Sequence, residues 1–130
     1  MYSWSETYES GSGSSDVSGN FLLLDGKVRG DEKMKELIEF LKSNERIMSI
    51  SICNNQLNNH QIDLFLDHLE KDDRIKWVSI LQGTFDSSKI SRLERILKFH
   101  NTQLVKFYCE HPLSKNIELY MQDNLNFPKK

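Results

Sequence analysis

Ile47-Met-Ser-Ile50-Ser-Ile52-Cys-Asn-Asn55-Gln-Leu57 is the stretch on which the fold of this chain turns. Ile50 and Ile52 alternate with Ser49 and Ser51, the period of a short strand with one apolar and one polar side. Asn55 then brings a side-chain amide that can bond backbone groups where the chain bends away, and Leu57 closes the bend from inside. Counted from Ile47, aliphatic residues stand at positions 1, 4, 6 and 11, with Asn at position 9.

The same spacing returns at Ile75–Phe85 and again at Leu104–Pro112, and Phe21–Gly26 opens the series as a brief apolar run ending in turn residues. Leu22, Ile50, Val78 and Phe107 occupy one column, and Leu24, Ile52, Ile80 and Cys109 the next, with steps of 28, 28 and 29 residues. Between the strands the apolar period changes to that of a helix. The first helix opens at Gly30-Asp31-Glu32 and ends at Ser43-Asn44, with Met34, Leu37, Ile38 and Leu41 on its apolar face. The second runs from about Asn59 to Lys71 and buries Ile62, Phe65, Leu66 and Leu69; the third runs from about Ser87 to His100 and buries Ile90, Leu93, Ile96 and Leu97. Met34, Ile62 and Ile90 are again 28 apart, as are Leu37, Phe65 and Leu93. Strand and helix periods advancing together along residues 21–112 define a repeat. Ile117, Leu119 and Met121 predict a short, irregular closing segment.

A unit of 28–29 residues built as strand, bend and helix resembles the ribonuclease-inhibitor class of leucine-rich repeats. Ile47–Leu57 carries the likeness, with Gly30-Asp-Glu-Lys-Met-Lys-Glu-Leu-Ile-Glu-Phe-Leu-Lys-Ser-Asn44 before it. It covers about four strands and three full helices. The bend Asn is present at Asn55, while Gly83 and Pro112 stand in its place later and Lys27 or Val28 earlier. Leu is often replaced by Ile, Val, Phe or Cys. The resemblance implies an α/β fold, a short right-handed solenoid with about four parallel strands on the concave side and helices on the convex side. It also implies a non-enzymatic protein-interaction role as an adaptor, inhibitor, actin-regulatory or immune-type recognition protein. Members that stimulate GTP hydrolysis use a loop Arg, and Arg29 is the Arg beside such a loop here. A short array leaves a core edge open at each end. Residues 113–125 are expected to cap one end; a partner, a second copy in a homodimer, or flanking sequence would cover the other.

A chain of 130 residues is one domain at most, and a net charge of −2 gives no electrostatic reason to expect nucleic acid or an anionic membrane. Two cysteines, Cys53 and Cys109, are too few for a disulfide framework, and no signal peptide or membrane-spanning run is present, so a cytoplasmic setting is expected. Residues 1–20 differ from the rest: Gly11-Ser-Gly-Ser-Ser15 is linker chemistry, and Glu6, Glu9 and Asp16 interleave with Tyr2, Trp4 and Tyr8. They are expected to be a disordered tail, or an acidic–aromatic docking peptide that orders on a partner. Residues 21–125 form the repeat domain and 126–130 a second tail.

No phosphate-binding Gly-rich loop, nucleophile elbow or HExxH motif occurs. His60 and His68, with Asp63 and Asp67 between, suggest a metal face, yet eight helical residues span about 12 Å, too far for one ion, and a solvated convex face is expected. Cys109 and His111 are a Cys–His pair only if the inward column opens, and Cys53 is an outward thiol. No cofactor, metal or catalytic residue is assigned. The outward column is more informative, because a solvated sheet face should be polar. Here it carries Phe21, Leu23 and Asp25, then Ser49, Ser51 and Cys53, then Trp77, Ser79 and Leu81, then Lys106, Tyr108 and Glu110. Trp77 and Tyr108 are expected as anchors for another protein, with Leu81 between them. Phe21 and Ser79 complete the surface, and Lys106, Glu110 and Asp25 set orientation. Alternatively the tail or the closing segment folds over these rings, or a one-residue slip puts Trp77 in the core. Two other readings stay open. One is a doubly wound α/β domain with a ligand at the strand C-terminal ends, lined by Asp25, Asn54, Asn55, Gln82 and His111. The other is a self-associating fragment.

Overall fold

The computed structural model describes residues 14–18, 20–26, 28, 30–53, 57–81, 85–100 and 102–127. Their elements run β1 (Ser14–Ser18), β2 (Phe21–Asp25), α1 (Asp31–Ser43), β3 (Ser49–Cys53), α2 (Asn59–Lys71), β4 (Trp77–Ile80), α3 (Ser87–Phe99), β5 (Lys106–Tyr108) and α4 (Lys115–Asn126). Strands β2 to β5 pair in parallel and in sequence order. A doubly wound sheet would reverse its order at a switch point, and these strands do not.

The pairing register reproduces the two sequence columns except at Cys109, which was expected in the second and lies past the end of β5, half-buried. Leu22 faces Ile50, Ile50 faces Val78 and Val78 faces Phe107; Leu24, Ile52 and Ile80 form the second row. All of these are buried in one core with the apolar faces of the helices. Strand neighbours of opposite parity, such as Phe21, Leu23, Ser49, Ser51 and Trp77, remain half-buried. The helices therefore cover one face of the sheet, with α1 beside α2, α2 beside α3 and α3 beside α4.

Backbone bonding repeats with the same step. The Asn20 carbonyl accepts the amides of Met48 and Ser49, the Met48 carbonyl those of Lys76 and Trp77, and the Lys76 carbonyl those of Val105 and Lys106. The residues preceding the four helices are Gly30, Asn58, Asp86 and Ser114, each 28 after the last. Gly30 sits at φ +86°, a conformation that favours glycine, while the other three bond the first amides of their helices with side-chain oxygens. At Asn58 the cap is reciprocal: its Oδ1 accepts the Gln61 amide at 2.9 Å, and Gln61 Oε1 accepts the Asn58 amide at 3.0 Å. The buried Gln61 then donates to the Gly30 carbonyl at 3.0 Å, joining the starts of α1 and α2. Asn58→Ala is expected to cost about 1 kcal/mol in a urea unfolding curve.

Two boundaries differ from the sequence reading. Ser14–Ser18, expected within a disordered tail, is a strand that closes the free edge of β2 by antiparallel pairing, with Val17 opposite Leu22 and Asp16 opposite Leu23. The rest of that stretch up to residue 13 lies outside the described residues. The expected irregular segment is instead the regular helix α4, which extends to Asn126. Its apolar face is broken because Glu118 and Gln122 fall where Ile62 and Leu66 stand in α2, so the helical period was hard to see. Ile117 and Met121 pack it into the core, while Leu119 points to solvent. Among the described residues no helix is long and apolar enough to cross a membrane.

Candidate functional site

On the open face of the sheet, one row runs Phe21, Ser49, Trp77, Lys106 and the next Leu23, Ser51, Ser79, Tyr108. Phe21 and Trp77 stand two strands apart, roughly 9–10 Å at the backbone. Their ring centroids are only 6.1 Å apart, so both rings lean over Ser49, whose small side chain leaves room. Trp77 also meets Tyr108 at 5.4 Å with the ring planes at 57°. The tilted geometry suits the ring quadrupoles, and each such contact stabilises by about 0.5–1.5 kcal/mol. The result is a continuous aromatic strip across β2, β4 and β5. Trp77 belongs to this face and not to the core, which removes the one-residue slip.

Around the strip, Leu81 follows β4 and is 40% exposed, and Tyr108 is 47% exposed. Ser79 differs from its expected place in the surface: it is 6% exposed, in register with Tyr108 and flanked along its strand by Trp77 and Leu81. It serves as floor, not as contact. Lys106 is exposed at the N-terminal end of β5, and Glu110 is exposed just past its C-terminal end. Asp25, half-buried, ends β2 on the same side as Glu110. Along the strands, positive charge at Lys106 thus lies toward the N-terminal side of the face and negative charge at Asp25 and Glu110 toward the C-terminal side.

The chemical alternatives fare differently. Burial, and then the nearby Asp25 carboxylate, push the Cys53 thiol above its ordinary range. Burial chiefly, with the charge of Glu110, does the same to Cys109. Cys109 Sγ donates to the backbone carbonyl of His111 at 3.1 Å, while the His111 ring nitrogen Nδ1 lies 2.9 Å from the Pro112 carbonyl. The Cys109 thiol and the His111 Nδ1 thus each face a backbone carbonyl, an arrangement unlike a nucleophile hydrogen-bonded to its base. Of the residues suggested for a ligand at the strand ends, Asp25 and His111 are described; Asn54, Asn55 and Gln82 lie outside the described residues, as does Arg29.

The supposed metal face is an ion-paired seam. Asp63 meets Lys89 at 2.6 Å and Arg92 at 3.5 Å, and Arg92 also pairs with Asp67 and with Glu70, the latter at 3.6 Å. These contacts join α2 to α3. His60 lies 3.5 Å from Asp31 across the α1–α2 junction. His68 departs from the expected solvated face: it is buried, with Nε2 3.1 Å from Asp72 Oδ2. Among the described residues no group of three or more metal-ligating side chains is assembled.

Asp72 is the centre of a network that motif reading missed. Its Oδ1 accepts the amides of Arg74 at 2.7 Å and Ile75 at 2.8 Å. Arg74 in turn donates to the last carbonyls of α1, Leu41 at 3.2 Å and Asn44 at 3.3 Å. Burial opposes ionisation of Asp72, but the bonds from His68, Ile75 and Arg74 outweigh it and hold its carboxyl below the ordinary range. The one available signal was positional, since Asp72 follows Asn44 by 28 residues and both end helices. A scan against protein-family models matches none for this chain, and a search of curated proteins finds no matching relative.

Proposed function

We propose that this chain is a short, divergent leucine-rich-repeat solenoid acting as a non-enzymatic interaction module, and that its open sheet face binds another protein in the cytoplasm. The observation that carries this is the aromatic strip of Phe21, Trp77 and Tyr108 on the face that the helices leave uncovered. Aromatic side chains supply large contact area with little rotamer entropy to lose, and a partly exposed aromatic strip rimmed by charge is the usual anatomy of a hot spot. The 28-residue step shared by strands, helix caps and backbone bonds supports the repeat assignment. Trp77 and Tyr108 anchor the partner, Leu81 and Phe21 extend the apolar contact, and Lys106 opposite Asp25 and Glu110 sets its direction.

The test is affinity capture from a cell extract with the full chain as bait, followed by binding of the captured protein to variants. Trp77→Ala and Tyr108→Ala are each expected to weaken that binding by about 30-fold or more, the effect of losing a hot-spot side chain worth at least roughly 2 kcal/mol. Circular dichroism and melting should stay near those of the parent. Unchanged binding would overturn the assignment of this face, and a collapse of folding would show that the rings are structural.

A further inference from the structure

The sheet treats its two edges differently. At β2 the edge is closed by the antiparallel strand β1, whereas β5 is the last strand of the described sheet. The Lys106 amide donates to the carbonyl of Lys76, the residue before β4, so by strand alternation the Phe107 amide and carbonyl point the other way, outward from the sheet. In the preceding repeats one carbonyl per strand, at Asn20, Met48 and Lys76, accepts two amides of the next strand. Val105 follows Lys76 by 29 residues, the same step as from Trp77 to Lys106, and presents the next carbonyl of that series at the free edge.

A groove of about 490 Å³ lies against this edge. Val105 and Phe107 form one wall, Met121, Gln122 and Leu125 of α4 the other, and Leu113 contributes between them. It lies where a further strand would stand. The residues equivalent to Leu125 in α2 and α3, Leu69 and Leu97, are 3% and 6% exposed beneath the repeat that follows; Leu125 is 57% exposed. Lys106, exposed at the mouth, has no ion-pair partner among the described residues.

We propose that the β5 edge is a second binding site, adjoining the aromatic face at Lys106 and Tyr108 but not using Trp77, which takes an extended peptide segment of a partner protein as an added strand. The Val105 carbonyl and the Phe107 amide and carbonyl supply the pairing, the Val105 amide being held by Lys76. The alternation of the sheet then dictates the peptide's chemistry. An acidic residue lies beside Lys106, and the next residue, apolar, faces inward beside Phe107 and fills the groove against Met121 and Leu125. A free strand edge beside an apolar groove is the surface that natural sheets otherwise protect.

Random heptapeptides displayed on phage, panned against the full chain, test this. Enriched peptides are expected to carry an acidic residue next to an apolar one. Their synthetic versions should lose at least tenfold in affinity with Leu125→Glu, a change at an exposed position, and with Gln122→Trp, which fills the groove from the same wall. Trp77→Ala should leave the affinity within twofold, and the Phe107 amide should exchange with deuterium at least tenfold more slowly in the complex. Several results would overturn the proposal: no enrichment, peptides indifferent to Leu125→Glu, an unprotected Phe107 amide, or dependence on Trp77. So would a dimer of the chain that Leu125→Glu dissociates, since the occupant of the edge would then be a second copy.

Discussion

Asp72→Ala is expected to lower the unfolding free energy at neutral pH by several kcal/mol, since each buried group left without its hydrogen-bond partner costs about 1–3 kcal/mol. For a domain whose whole stability is about 5–15 kcal/mol, that is enough to leave a sizeable unfolded population at 37 °C. The size follows from the number of groups stranded. His68 is left buried beside a void, the Arg74 and Ile75 amides lose their acceptor, and Arg74 loses the carboxylate that steadies it against the α1 carbonyls. One side chain thus ties the end of α1, helix α2 and the approach to β4 together. The pH dependence has a definite sign. The folded-state pKa of Asp72 lies below that of the unfolded chain, so its ionisation stabilises the fold fully above the unfolded value of about 4. That contribution is lost as the pH falls from there through the lower folded value. Urea unfolding curves at neutral and acid pH should show the gap between parent and Asp72→Asn narrowing as the pH drops below about 4.

Ile52→Ala should cost roughly 2–5 kcal/mol, and Ile50→Ala a similar amount, because each leaves a cavity that the sheet cannot close. Both side chains are fully buried and sit in the middle of their rows, with Leu24 and Ile80 on either side of Ile52 and Leu22 and Val78 on either side of Ile50. Neighbouring strands are held by their own ladders at fixed spacing, so relaxation is limited. Denaturant midpoints at constant slope would measure this. A loss under 1 kcal/mol would mean that the rows are less tightly packed than their burial indicates.

The columns that begin at Ile50 and Ile52 were legible because two different periods, 2.0 and 3.6, had to be satisfied by the same residues at one common step. Pairing register, core membership and the limits of α1, α2 and α3 all follow from that coincidence. The aromatic strip was legible for the same reason: once Val78 and Phe107 are inward, Trp77 and Tyr108 are outward. What escaped lacks a periodic signature. β1 is five polar or small residues but for Val17, and it forms by pairing with β2, with no apolar alternation of its own. α4 keeps its cap at Ser114, 28 residues after Asp86, yet Glu118 and Gln122 interrupt its apolar face. The extra residue between α3 and β5 shifts the strand step to 29 while the helix-cap step stays at 28; the fourth strand was legible all the same, and only its helix was not. His68 and Asp72 were invisible as a pair because a buried hydrogen-bonded pair at i,i+4 reads in sequence like a solvated one.

The most direct test of the aromatic face uses Trp77 itself as the reporter. The chain has two tryptophans, Trp4 and Trp77, so Trp4→Phe leaves the indole of the strip as the sole tryptophan emitter. Acrylamide quenching of that fluorescence, measured before and after adding the captured partner, should fall severalfold as the ring is covered. Quenching that stays the same while the partner remains bound would place the interface elsewhere and contradict the assignment of this face.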